Sequence, residues 1–353
     1  MSLDVAVRLV LDGLAKSTLT AYKTGQRHFL RFAAEENMSI HEVLPATPTV
    51  VLAFVTYLFL RPTTLAYKSI KAYICHVKAL AKTLAIDCAA FQCERVALAL
   101  RTVRRLRGSK TRPKRLPITV ALLAKFLLIL RSRPRSVDIS AIAAILAVGV
   151  FGLFRSGELV PKSRKDDVLL RRHILWEKDK VTVHLNGSKT DPFREGIDIV
   201  IFKNTSSPCP YSAFLEHWDM APDKHPNAPA FQRSNGSPVS YPTLLAAIKT
   251  LAGEAGLDDS TFSGHSMRIG GATTLALLGY PAHIIKEIGR WRSLSYQLYT
   301  RMSFETHRKI VDSMSTASSK TGNGVQNYFG GMRLEQACDL SLDNIEFVWS
   351  CTK

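Results

Sequence analysis

The chain has 353 residues, with 47 Lys+Arg against 29 Asp+Glu and a formal charge of +18. Its 46% apolar and 22% charged residues are enough to bury real cores, which excludes wholesale disorder, and at roughly 100–200 residues per domain the length predicts two domains. The longest apolar run, 139–154, contains Ser140 and two glycines and falls short of the roughly 20 residues a membrane span needs, so a buried helix is expected there. The opening Met1-Ser2-Leu3-Asp4 has no basic region followed by an apolar one, which points to an intracellular protein. Six cysteines are scattered without the spacing of a zinc site and read as reduced, mostly buried thiols. A charge this far from zero suggests nucleic acid or an anionic membrane surface as partner.

In chain order, residues 1–107 read as an all-α bundle. Ser17 can cap a first helix through Tyr22, His28, Phe29 and Phe32, and 50–59 is a second, strongly apolar one. Thr63-Thr64 opens a third, with Ile70, Tyr73, Ile74, Val77 and Ala81 at three-to-four-residue spacing; 89–106 is a fourth. The polar faces carry Lys68, Lys71, Lys78 and Lys82. Charge is uneven: residues 1–115 hold 19 Lys+Arg and 7 Asp+Glu, net +12, leaving net +6 for 116–353. Its densest stretch runs from Arg101 through Arg104, Arg105, Arg107, Lys110, Arg112 and Lys114 to Arg115 without an acid. Gly108 and Pro113 end the helix, so 108–116 is a basic linker. Such a linker can track a phosphate backbone; the alternative is a solvated hinge or a localisation signal.

Residues 117–315 read as a second, α+β domain. Pro117-Ile118-Thr119 is a helix start, followed by Leu122, Leu123, Phe126 and Leu127 in register. The buried helix 139–154 runs into Arg155-Ser-Gly157-Glu158. Two short β-like runs, 181–185 and 197–202, are separated by the polar turn Asn186-Gly-Ser-Lys189-Thr-Asp-Pro192 and predict a small antiparallel sheet with a lysine at a strand turn. Helical patterns return at 211–220, 241–255, 265–278, 281–288 and 294–300. Residues 316–353 form a tail rich in Ser, Gly and Asn at first. The chemistry-bearing segment is Gly264-His265-Ser266-Met267-Arg268. Its His and Arg at i, i+3 share a helix face near exposed N-terminal amides, which suits a phosphoryl oxygen.

Through Phe154-Arg155-Ser156-Gly157-Glu158-Leu159, Ser188-Lys189-Thr190-Asp191-Pro192-Phe193, Gly264-His265-Ser266-Met267-Arg268-Ile269-Gly270-Gly271 and Gly289-Arg290-Trp291-Arg292-Ser293, followed by Tyr299-Thr300-Arg301, the sequence resembles the tyrosine recombinase (integrase) family. The wording of these segments is most similar to the recombinases of eukaryotic mobile elements of the DIRS and Crypton type. The likeness covers about 115–310 strongly and the helical N-terminal domain only in general character.

The resemblance implies a mainly α fold with a small antiparallel sheet: a helical core-binding domain followed by a catalytic domain. It implies that Arg155 and Arg268 are the catalytic arginines, Lys189 the hairpin lysine, His265 the partner of Arg268, Trp291 the occupant of the second-histidine position and Tyr299 the nucleophile. Fork-shaped guanidiniums suit the non-bridging oxygens of a phosphodiester and the extra charge of its transition state. His265 can accept a proton or donate to the oxyanion, Lys189 can protonate the leaving 5′ oxygen, and Trp291 can donate one hydrogen bond and pack the site. Glu158, one turn after Arg155, orients a cation. Tyr296, three residues before Tyr299, is the competing nucleophile; Thr300-Arg301 favours Tyr299. Each residue also has a plainer reading, as a helix-end ion pair, a turn lysine or a packed core side chain.

No cofactor is expected: there is no acidic cluster for two metals and no GxxxxGK[ST] phosphate loop. The implied partner is double-stranded DNA, gripped by a two-domain clamp and acted on by a tetramer, with no membrane and no small-molecule substrate. A helix at 304–314 would dock on a neighbouring protomer or on its own domain. In a eukaryotic host the nucleus is the expected compartment. Two further function classes stay open: a domesticated, non-catalytic DNA-binding protein, and a type IB topoisomerase.

Overall fold

The computed structural model describes residues 10–107, 115–163, 168–187 and 195–298, together with positions 8, 308 and 311–313. Contacts divide the chain into two units, Met1–Lys114 and Arg115–Lys353. No helix among the described residues is long and apolar enough to cross a membrane.

The first unit is helical. Helix α1 (Lys16–Glu35) has Ala15 at its N-cap, so Ser17 lies inside the helix rather than capping it. A short α2 (Ile40–Val43), too brief to announce itself by periodicity, precedes α3 (Pro48–Leu60). Thr47 caps α3 by accepting from the Val50 N–H at 3.3 Å, and Pro48 sits at the first helical position, where its missing N–H is not needed. Helix α4 (Tyr67–Thr83) starts after Ala66, later than Thr63-Thr64 suggests. The segment expected as one helix from 89 is a 3-10 turn, Ala89–Gln92, followed by α5 (Glu94–Arg107). Phe29, Phe32, Phe54, Leu58, Ile70 and Val77 build the buried core.

In the second unit α6 (Val120–Arg131) is capped by Thr119, which accepts from the Leu122 N–H at 3.3 Å, as its sequence predicts. Helix α7 (Val137–Phe151) is buried from Ser140 to Val150 except for the half-buried Ala143, and packs against α6, α9 (Pro210–Met220) and α11 (Ser266–Leu277). A helix enclosed on all sides reads as a continuous apolar run, which explains the 139–154 pattern. It ends at Phe151, before Arg155, because Gly152 and the left-handed Leu153 turn the chain. A one-turn α8 (Ser156–Leu159) follows.

The sheet has three antiparallel strands in the order β1 (Ile174–Trp176), β2 (Lys180–Leu185), β3 (Ile197–Phe202). Val183 pairs with Ile174 on one side and Ile199 on the other, so the alternating buried residues of all three strands share one face. β1, three residues long, carries no period of its own and leaves no pattern in the sequence. Helices α10 (Tyr241–Glu254) and α12 (Ala282–Ile288) also belong to this unit, and Leu294–Leu298 is a 3-10 turn where a helix is expected. The architecture is mainly helical with one small antiparallel sheet, as the sequence suggests.

Candidate active site

The site forms where α7 ends, α8 begins and α11 starts. Arg155 stands at the N-cap of α8 in extended backbone, and Glu158 occupies the third helical position. That spacing returns the carboxylate to the cap. Glu158 accepts from the Arg155 backbone N–H at 2.8 Å and from its guanidinium at 2.7 Å. The Glu158 side chain is 7% exposed, and it also pairs with Arg290 at 3.1 Å.

His265 is the N-cap of α11, with Arg268 one turn on. Gly270 and Gly271 seat this helix: a Cβ on Gly270 would overlap the Ile118 carbonyl, and one on Gly271 the Val150 carbonyl. Only backbone can occupy the space, so α11 lies against the end of α7 and brings Arg268 to Leu153. Arg268 is 1% exposed, donates to the carbonyls of Leu153 and Gly289, and stacks its guanidinium 4.2 Å from the centre of the Trp291 ring. Cation–π stacking at a desolvated position is worth about 2 kcal/mol. Trp291 is buried with Leu153, Ala272, Ile285 and Tyr296; the Trp291 and Tyr296 rings are 6.4 Å apart.

The His265 ring titrates below its ordinary range, first through burial and then through the charges of Arg268, Arg155 and Lys162. It is neutral at pH 7 and able to accept a proton. The structure therefore gathers Arg155, Glu158, His265, Arg268 and Trp291 in one place. Lys189 and Tyr299 lie outside the described residues; Lys189 belongs to the segment joining β2 and β3.

Two cations here carry no role in the sequence motifs. Lys162 acts on His265 through its charge. Arg290 donates to the carbonyls of Gly152 and Leu153 and to Glu158, each at 3.1 Å. Burial lowers its pKa, opposed by Glu158. Leu153 (φ 48°) and Arg290 (φ 58°) both occupy the left-handed backbone region, at a cost of roughly 1–2 kcal/mol each. The signal that could have pointed to Arg290 is Glu158, the sole acid in 139–165, a largely apolar stretch whose cations are Arg155, Lys162, Arg164 and Lys165, since one carboxylate in such a stretch invites a shared ion pair. Among the described residues, three guanidiniums against this one carboxylate leave a cationic site suited to an anion. Among the described residues no group of three His, Cys, Asp or Glu is placed to hold a metal ion.

On the first unit, Lys68, Lys71, Lys78 and Lys82 fall within one stripe of α4, beside the buried row Ile70, Ile74, Val77 and Ala81; all but the half-buried Lys78 are exposed. Arg104 and Arg105 are exposed on α5, Arg104 lying 5.9 Å above the Tyr67 ring. Arg107 is partly spent within the unit: it donates to the Phe59 carbonyl and stacks 4.5 Å over that ring. Arg115, expected in the basic linker, belongs to the second unit and donates to the carbonyls of Ser260 and Phe262. Lys110, Arg112 and Lys114 lie outside the described residues.

Compared by sequence, the chain matches no protein-family model and no curated protein. Its fold does match solved structures. One is the XerH site-specific recombinase bound to a palindromic difH substrate in a post-cleavage complex, at TM-score 0.52 and 15% identity over 82% of this chain and 76% of that one. Another is the Tn1549 transposon integrase in complex with transposon right end DNA, at TM-score 0.52 and 16% identity over 89% and 100%. The likeness is one of fold.

Proposed function

We propose that this chain, built on the fold those recombinases share, is a site-specific DNA recombinase or transposase that cuts and rejoins duplex DNA through a 3′-phosphotyrosine intermediate. The observation that carries the reading is the meeting of Arg155, His265 and Arg268, from separate stretches of sequence, in one cationic site. Arg155 and Arg268 stabilise the charge that grows on the phosphoryl oxygens. The Tyr299 oxygen attacks phosphorus and gives its proton to His265. The bond to the 5′ oxygen breaks, and Lys189 supplies the proton for the leaving hydroxyl. A 5′-hydroxyl attacking the phosphotyrosine reverses the sequence, so the bond energy is kept and no high-energy cofactor is required. Trp291 holds Arg268 by stacking.

Within this reading residues 1–107 are a DNA-binding core domain, 108–116 a basic linker and 117–315 the catalytic domain, with 316–353 a tail. The assembly is a tetramer on DNA, related to the DIRS and Crypton recombinases and working in the nucleus of a eukaryotic host. Tyr299 rather than Tyr296 is the nucleophile, because Tyr296 is 8% exposed and packed against Trp291.

A nicked suicide substrate tests the proposal. Wild type is expected to yield a covalent protein–DNA adduct on a denaturing gel; Tyr299→Phe should lose it and Tyr296→Phe keep it. An adduct that survives Tyr299→Phe overturns the assignment. The second reading, a DNA-binding protein without turnover, draws on the pairing of Arg155 with Glu158 and of Arg268 with two carbonyls. Band shifts without any adduct would decide for it.

A further inference from the structure

We propose that Arg290 is the positioning residue of this site, setting both arginines at once. The inference rests on the recombinase reading for the reaction it serves, but its geometry stands by itself. One amino group of Arg290, Nη2, donates to Glu158 Oε2 and to the Leu153 carbonyl, each at 3.1 Å. Glu158 holds the Arg155 guanidinium with its other oxygen, Oε1, at 2.7 Å. The Leu153 carbonyl also receives Arg268. One arm therefore runs from Arg290 through a carboxylate to Arg155, and the other through a carbonyl to Arg268.

Three features mark this as a built arrangement. Leu153 and Arg290 are both left-handed, and a hydrogen bond joins them, so two unfavourable backbone turns are spent on one link. The Arg290 side chain is 11% exposed and its guanidinium lies 5.2 Å from the Phe154 ring centre, which fixes it from the side. Among the described residues its buried Nε has no hydrogen-bond partner, an arrangement that burial for stability alone disfavours. A lysine could keep the charge but not donate in three directions from a rigid plane.

Single-turnover cleavage of the suicide substrate at saturating DNA tests this, with DNA affinity and melting temperature measured on the same samples. Arg290→Met is expected to slow adduct formation by about 100-fold, the cost of a small misplacement of catalytic groups, with affinity unchanged. Arg290→Lys should fold as wild type and stay well below its rate. Because Arg290 acts through Glu158, Arg290→Met combined with Glu158→Gln should cost little more than the slower single variant. An undiminished rate in Arg290→Met, full rescue by lysine, or additive losses in the double variant overturns the proposal. If Arg290→Met does not fold, the lysine variant carries the test.

A wild type that forms no adduct strikes the recombinase reading instead. The positioning claim then rests on the side-chain NMR signals of Arg155 and Arg268, expected to be ordered in wild type and averaged in Arg290→Lys. Unchanged signals overturn it.

Discussion

His265 sits among cations, and that company sets which way it titrates. Burial lowers its pKa first, and Arg268, Arg155 and Lys162 lower it further by disfavouring the imidazolium. If it accepts the tyrosine proton, cleavage should hold at neutral pH and fall only below the ordinary histidine range. Removing one cation favours protonation, so Lys162→Met should move the acid limb of the rate–pH profile to higher pH; a limb that stays or moves down contradicts the assignment.

His217 shows the same physics without chemistry. It is fully buried, donates from Nδ1 to Ser140 Oγ at 3.0 Å, since that hydroxyl is committed to the Val137 carbonyl, and accepts the Gln232 N–H on Nε2 at 3.1 Å. Burial, helped by Arg171 and Lys224, lowers its pKa to about 4. The unfolded chain therefore binds the proton first as pH falls. The stability His217 contributes is present above about pH 6.5 and drains away toward pH 4, roughly 3 kcal/mol in all. Denaturant titrations at both pH values should show wild type losing about that much more than His217→Gln.

At the scale of elements, the seating of α11 decides whether the site exists. Gly270→Ala would push a methyl into the Ile118 carbonyl, where backbone cannot yield, and should destabilise the protein by about 1–3 kcal/mol. Gly253, near the end of α10, has none of the described residues within 4 Å of the place a methyl would take, and Gly253→Ala should stabilise by about 0.5–1 kcal/mol. Thermal melts of the two variants should move in opposite directions. Long helices with one apolar stripe, such as α4, are legible in the sequence because burial on one face enforces the 3.6-residue period. Helix α2 and strand β1 are not, since four and three residues are too few to carry a period.

For the whole molecule, the chain carries +18, and at the site Arg268 is buried while Arg155 and Arg290 are partly buried and held by Glu158. If the lysine stripe of α4 and the arginines of α5 meet phosphates, neutralising Arg104 and Arg105 together should reduce the slope of log affinity against log salt by about 2. Adduct formation at saturating DNA should be retained. Arg107 is a poorer probe, because its loss also removes the bond to Phe59. A salt slope identical to wild type would place the DNA elsewhere.

Resemblance to a known family brought Arg155 and Trp291 to notice; residue type and local order by themselves determined the helical character of both halves, two strands of the sheet, the Thr119 cap and the pairing of His265 with Arg268 on one helix face. These depend on neighbours a few residues apart. Only the tertiary structure decided how the charges are shared: that Glu158 answers to two arginines, that the Leu153 carbonyl receives both Arg268 and Arg290, and that Trp291 covers Arg268. Partners such as Leu153 and Arg290 are 137 residues apart. A backbone carbonyl looks the same in every sequence, so its choice of donor is made only when helices pack.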